Sequence, residues 1–247
     1  QIINEELKNF YKEIKKNISK QENSPDLKKL GVDFIKKVEK TKYSYNFSWM
    51  GSPIIAYPQD MIAMQELIWV IKPDLIIETG VAHGGSIIYY ASLLNMIGNG
   101  TVLGIDIDIR SHNRKLIESH PMFNRIELIE GSSTSNQVYE VVKKIAESKK
   151  KILVCLDSNH THDHVLKELE LYAPLVSKDS YCVVFDTVVE DMGPDWDWGI
   201  RDWGVGNNPK TAVYEYLKQN KDFKIDSSID SKLLVTVAPS GYLKKIK

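Results

Sequence analysis

Five short apolar runs, Leu75–Glu78, Val102–Asp106, Ile126–Glu130, Ile152–Asp157 and Tyr181–Asp186, alternate with helical patterns near Gly85–Met96, Arg114–Ser119, Gln137–Glu147 and His164–Tyr172. Runs of Val, Ile and Leu without polar alternation imply burial on both faces, so they predict parallel strands covered by helices on each side. Another helix is predicted over Lys210–Gln219, after Asn208-Pro209. Phe223–Asp226 and Lys232–Val237 are then close enough to pair antiparallel at the sheet edge. The expected fold is α/β: a mostly parallel, Rossmann-like sheet with an antiparallel C-terminal strand.

Residues 1–57 read differently, as a helical N-terminal extension or arm placed before a main domain at 58–247. Ile3, Leu7, Phe10, Tyr11, Ile14 and Ile18 recur at helical spacing with lysines opposite, and Ser24-Pro25-Asp26 starts a second helix through about Val38. The aromatic stretch Tyr43–Pro58 has no clear period and packs over a site, a neighbouring subunit or simply the core. Of 247 residues, 43% are hydrophobic and the net charge is −1, which gives no reason to expect nucleic acid or an anionic membrane as the main partner. No apolar run reaches the roughly 18–20 residues that span a bilayer, so no integral membrane segment is expected. Cys155 and Cys182 both lie in strand-like runs and read as small buried hydrophobes, which suits a reducing, cytoplasmic setting.

In an open parallel sheet, ligands bind beyond the carboxyl ends of the strands, and here those ends are polar and small. The first reads Glu78-Thr79-Gly80-Val81-Ala82-His83-Gly84-Gly85-Ser86. Its glycines allow a tight turn and close approach of a ligand, but the spacing is not the G-x-G-x-x-G of dinucleotide binders. Methyltransferase loops have this looser E-x-G form, so Glu78, Gly80, Ala82, Gly84 and Ser86 are candidate S-adenosylmethionine contacts. Asp106, closing the second strand, is placed to accept from ribose hydroxyls, with Asp108 free for a neighbouring cation or substrate group. Ser132 and Ser133, after the third strand, are small enough to flank an adenine.

The fourth and fifth ends carry the reactive groups. Asp157 and Asp186 close neighbouring strands, so their carboxylates can converge on a hard cation such as Mg²⁺, with Mn²⁺ also suited. Thr187 and Glu190 follow as further metal candidates, and Asp191 beside them. His160, three residues past Asp157, is placed to take a proton from a substrate hydroxyl, whereas His162 and His164 are expected to cap and hydrogen-bond near a helix start. In the loop Asp195–Pro209, tryptophans 196, 198 and 203 alternate with aspartates and glycines, a composition suited to stacking on a sugar and binding its hydroxyls.

The runs IETGVAHGGS (Ile77–Ser86), GIDIDIR (Gly104–Arg110), IEGSS (Ile129–Ser133), LDSNHTHDHVLKELELYAPLV (Leu156–Val176), WGVGNNP (Trp203–Pro209) and KLLVTVAPSGYLKKI (Lys232–Ile246) together resemble the cephalosporin hydroxylase family. The resemblance covers about Tyr57 to the C-terminus. It implies a class I methyltransferase sheet, S-adenosylmethionine as donor, a small-molecule or glycan acceptor (some members are rhamnosyl O-methyltransferases) and a homo-oligomer. The more distant Mg²⁺-dependent catechol-type enzymes are similar in site layout. Their metal Asp and the catalytic Lys three residues on map to Asp157 and His160, and their second Asp with its Asn to Asp186 and Thr187. Where the closer family has an acidic pair, this chain has Phe185-Asp186, which removes one ligand and leaves Glu190 or Asp191 to replace it. The expected function is Mg²⁺-dependent O-methylation of a sugar or of a glycan or glycolipid precursor. The rivals are cephem methoxylation with a partner protein and a non-catalytic cofactor-binding scaffold.

Overall fold

The computed structural model describes residues 4–197 and 199–247. Ile3 and Trp198, singled out above, lie outside the described residues. Helices α1 (Glu5–Glu22) and α2 (Pro25–Val38) open the chain, capped by the side chains of Asn4 and Ser24. A small hairpin follows, β1 (Phe47–Trp49) paired with β2 (Ser52–Ile54), then α3 (Pro58–Ile71). Strands β3 (Leu75–Thr79), β4 (Thr101–Asp106), β5 (Ile126–Glu130), β6 (Ile152–Leu156) and β7 (Tyr181–Val184) alternate with α4 (Gly85–Ile97), α5 (Ser111–Glu118), α6 (Asn136–Ala146) and α7 (His162–Tyr172). The chain ends with α8 (Pro209–Gln219), β8 (Phe223–Ile225), α9 (Ser227–Leu233) and β9 (Tyr242–Lys245).

Seven strands form one sheet in the order β5-β4-β3-β6-β7-β9-β8; the first five are parallel, and β9 runs antiparallel to both of its neighbours. The predicted mostly parallel sheet with an antiparallel edge is therefore present. Strand residues alternate between two cores. Ile76, Val102, Leu153 and Val183 face α3 and α4, while Ile77, Leu103, Val154 and Val184 face α6, α7 and α8. Both cysteines are free and buried, as expected. Among the described residues no helix is long and apolar enough to cross a membrane.

Two features differ from expectation. Lys232–Val237 is not a strand, and β8 pairs with Tyr242–Lys245 instead. The Asp226 side chain accepts from the Ser228 N–H and caps α9, which claims the chain through Leu233. Leu234 then sits at φ 60°, and the Val237 N–H donates to Asp60 at 2.9 Å, so this backbone cannot extend a ladder. The second difference is α3, which no amphipathic pattern announced. Ile62, Ala63, Met64, Leu67, Ile68, Trp69 and Val70 lie all around this helix, so its sequence has no polar face to mark a period. Residues 43–57 form a short 3₁₀ turn at Tyr43–Asn46 and the hairpin, with Ile54 and Tyr57 buried.

Asp60 on α3 ties these parts together. Its carboxylate is 2% exposed and accepts from the Thr236 hydroxyl, the Val237 N–H and the Tyr242 hydroxyl. Burial pushes its pKa up to about 6 in spite of these donors. Asp60→Ala strands three buried donors and is expected to cost about 2–4 kcal/mol. Urea denaturation measures this, and a loss within error of zero would show that the network carries no stability.

Candidate active site

The carboxyl ends of β3, β6 and β7 open onto one cavity of about 480 Å³. Its lining joins Glu78, Gly80, Ala82 and Ser86 to Asp157, His160 and Asp186, so residues predicted from three separate strand ends share one space. Glu78 is almost wholly buried. Its Oε2 accepts from the Ser86 hydroxyl at 2.6 Å, its Oε1 has no partner among the described residues, and burial raises its pKa to about 8. A buried carboxyl with one idle oxygen at a ligand cavity fits a site for a polar or cationic group.

Asp106 reaches back to the same loop. Its Oδ2 accepts from the Val81 N–H at 2.8 Å and the Ala82 N–H at 3.3 Å, and its Oδ1 from the Asp108 N–H at 3.1 Å. Ala82 is at φ 45° and Gly84 at φ 83°, so the loop coils tightly before α4 begins at Gly85. Asp106 and Gly84 thus shape the loop from outside the cavity lining. Ser132 and Ser133 also lie outside it: the Ser132 hydroxyl is 3.0 Å from that of Thr134, and Ser133 is turned toward α7.

Asp157, His160 and Asp186 each offer one ligand atom, all within 4.8 Å of one another. The Asp157 pKa is pushed well above the usual carboxylate range, by burial first and then by the nearby Asp186 charge. Two carboxylates this close in a half-buried setting are relieved by a divalent cation, so this donor set fits Mg²⁺ or Mn²⁺. His160 Nε2 is 3.1 Å from Asp186 Oδ2, and the Trp203 ring stands edge-on to the imidazole at 5.3 Å.

Two further metal candidates point elsewhere. The Thr187 hydroxyl donates to the Pro239 carbonyl at 2.7 Å and the side chain is fully buried. Glu190 Oε2 accepts from the Gly206 N–H at 2.8 Å and from the Asn208 side-chain amide, so it anchors the loop before α8. Asp191 is likewise committed, to Lys210 at 2.6 Å. A capping Asn and a lysine on α8 captured the two acids, a pairing not visible in linear order. His162 Nδ1 lies 2.8 Å from the Thr211 hydroxyl on α8, and His164, half-buried in the first turn of α7, lies beside the hydroxyls of Ser133 and Ser158.

The far wall of the cavity comes from segments only loosely flagged by sequence. Glu39, Tyr45 and Tyr57 approach from the N-terminal part, and Trp196, Asp197, Arg201 and Trp203 from the loop after β7. The Arg201 guanidinium lies over the Trp203 ring at 5.5 Å. The aromatic character of both segments was their one sequence signal; Asp60, Tyr89 and Tyr90, also at the lining, gave none.

Comparison with known proteins identifies the family. A family model described as Rhamnosyl O-methyltransferase/CmcI matches residues 41–246. The rhamnosyl O-methyltransferase of Mycobacterium tuberculosis is 31% identical over 204 residues, 79% of this chain and 77% of that protein. Its counterpart in Mycobacterium leprae is 29% identical over 199 residues, covering 79% and 82%. Among solved structures, apo CmcI superposes with a TM-score of 0.56 at 19% identity, covering 82% of this chain and 77% of that one. A CmcI structure described with Mg and SAM gives 0.55 at 18% identity, covering 82% and 78%. The chain shares its fold with these structures and belongs to the Rhamnosyl O-methyltransferase/CmcI family.

Proposed function

We propose that this chain is an S-adenosylmethionine-dependent, Mg²⁺-assisted O-methyltransferase acting on a hydroxyl of a sugar or of a glycan or glycolipid precursor. One observation carries the reading: the Glu78–Ser86 loop and the Asp157/His160/Asp186 cluster face the same cavity. That arrangement sets a donor loop beside a place to bind and deprotonate an acceptor hydroxyl. The relatives' printed activity, methylation of rhamnosyl groups, supports the sugar class.

Glu78 and the loop through Ser86 hold the donor, with Asp106 keeping the loop coiled. S-adenosylmethionine supplies an electrophilic methyl group, and Mg²⁺ held by Asp157 and Asp186 supplies Lewis acidity to the acceptor hydroxyl. His160 takes the hydroxyl proton, and the imidazolium so formed is stabilised by Asp186, 3.1 Å from its Nε2. Trp203 limits the rotation of the ring. Trp196, Trp203 and Tyr45 give flat apolar walls for a pyranose, and Glu39 and Asp197 accept from its hydroxyls.

Purified protein with S-adenosylmethionine, Mg²⁺ and a panel of rhamnosides and other glycosides is expected to form a methyl ether. EDTA is expected to abolish turnover, with Mg²⁺ restoring the wild type but not Asp157→Ala. His160→Ala is expected to lose about 100-fold or more in kcat. Turnover by Asp157→Ala equal to wild type would remove the metal from the mechanism.

Burial keeps Glu78 protonated at neutrality, with its pKa at about 8, and a sulfonium cation binds its ionised form more tightly. Affinity for S-adenosylmethionine is therefore expected to rise between pH 6 and 8, by up to about tenfold per unit, and to level off above pH 8. Glu78→Gln should flatten that profile; an identical slope in the variant would assign the titration to another group. Homo-oligomerisation is part of the same proposal, supported by the exposed apolar side chains Ile62, Trp69, Val70 and Met96 on α3 and α4. Light scattering that returns the monomer mass of 28.2 kDa would remove it.

A further inference from the structure

Arg201 is the one Lys or Arg side chain among the described residues lining the cavity, whose other charged groups are carboxyls and histidines. Each carboxyl has a use. Asp60 is held by three donors, Glu39 accepts from the Tyr57 hydroxyl, and Asp197 accepts from the Gly199 N–H at 2.8 Å. Glu78 and the Asp157/Asp186 pair are the groups that a cationic donor and Mg²⁺ would complete. Arg201 has no such counterpart. Asp195, Asp197 and Asp202 neighbour it in sequence, yet it makes no ion pair or hydrogen bond among the described residues. Its guanidinium lies over the Trp203 ring at 5.5 Å instead. A guanidinium over an aromatic face keeps its in-plane N–H donors available for a second partner.

The loop holds this pair in a set place. The Asn207 side-chain amide donates to the Asp202 carbonyl at 2.6 Å, and its Oδ1 accepts from the His162 N–H at 2.8 Å, at the start of α7. Gly204 and Asn207 exchange backbone hydrogen bonds of 3.0 Å, and the Gly206 N–H donates to Glu190. Trp203, so placed, meets the His160 imidazole at 86° with 5.3 Å between ring centroids. One indole therefore separates the guanidinium from the imidazole proposed to take the acceptor's proton. A sugar ring beside that indole, with one hydroxyl at His160, would bring another of its substituents to Arg201.

We propose that Arg201 is an acceptor-binding residue, and that the sugar acceptor carries an anionic group, a carboxylate or a phosphate, seated on its guanidinium across Trp203 from His160. This rests on the O-methyltransferase reading above and narrows its acceptor class. The planar fork of donors binds either oxyanion at two points. A neutral sugar would cover the guanidinium and strip its water without returning a counter-charge.

The test is calorimetry on the full chain loaded with S-adenosylhomocysteine and Mg²⁺. The probes are two matched pairs, methyl rhamnoside against rhamnose 1-phosphate and methyl glucoside against methyl glucuronide. In at least one pair the anionic member is expected to bind about tenfold or more tightly than the neutral one. The pair that shows the preference tells phosphate from carboxylate. Arg201→Gln should bring the ratio close to one, and Arg201→Lys, which keeps the charge but not the fork, should retain part of it. Arg201 is exposed, so neither substitution disturbs the core, and S-adenosylhomocysteine binding by each variant checks its fold. Raising the ionic strength should shrink the ratio in the wild type and hardly move it in Arg201→Gln. A wild-type ratio near one in both pairs, or no binding of either anionic probe, overturns the proposal and leaves the methyltransferase reading in place. A preference that survives in Arg201→Gln also overturns it, by placing the charge recognition at the metal. A wild type that binds no S-adenosylhomocysteine refutes the donor site and the proposal with it, a result separate from every sugar ratio.

Discussion

The carbonyl of Asp157 sits where a side chain at position 80 would have to be: a Cβ on Gly80 would fall 2.0 Å from it. Gly80 is at φ 90°, so both the contact and the dihedral call for glycine. Around it, the Asp157 N–H donates to the Thr79 carbonyl and the Gly80 N–H to that of Ile105. These bonds carry the register of β3, β4 and β6 one residue beyond the strands before the chains diverge. The Glu78–Ser86 loop and the Asp157/His160 turn then begin side by side. The closeness of the donor loop and the Asp157/His160/Asp186 cluster, on which the proposed methyl transfer depends, follows from that contact.

Four carboxyl groups lie near this junction, Asp60, Glu78 and Glu168 buried and Asp157 half-buried, and the fold treats them in different ways. Asp60 is met by three donors and binds α3 to the segment before β9. Glu168 is met by Ser158 and His164 and fastens α7 to the loop after β5. Glu78 keeps an idle oxygen, and Asp157 faces Asp186 across a short gap; both have raised pKa values and both line the cavity. Asp60 and Glu168 hold parts together, although one Glu168 oxygen has no partner among the described residues. Glu78 and Asp157 are those a cationic donor and a divalent ion would complete, which is the usual place to find perturbed acids. Asp60 and Asp157 also sense other carboxylates nearby, so loading the site with cations should steady the surrounding framework as well.

The parallel strands, the helices between them and the polar strand ends were legible because each depends on local pattern: doubly buried strands are apolar throughout, and ligand-facing turns are small and acidic. Asp157, His160 and Asp186 could be chosen together because adjacent parallel strands bring their carboxyl ends together whatever the side-chain detail. Thr187 and Glu190 could not be sorted in that way. Their partners, Pro239 and Asn208, are 52 and 18 residues away, and only packing shows that those contacts win. The same holds for His164, whose Ser133 partner is 31 residues upstream.

Sequence alone determined the fold class, the family and the three side chains that converge at the metal cluster, since each is written in short-range periodicity or in a residue at a strand end. Tertiary structure decided the rest. It fixed which antiparallel strand closes the sheet, because a capped α9 and the pull of Asp60 take Lys232–Val237 out of contention. It revealed the all-round apolar α3, and it buried Ile54 and Tyr57 from the aromatic stretch before it. It also sorted the acidic residues into those that face the cavity and those tied to neighbouring elements, because a carboxylate's role is set by the donors that reach it, and those come from distant parts of the chain.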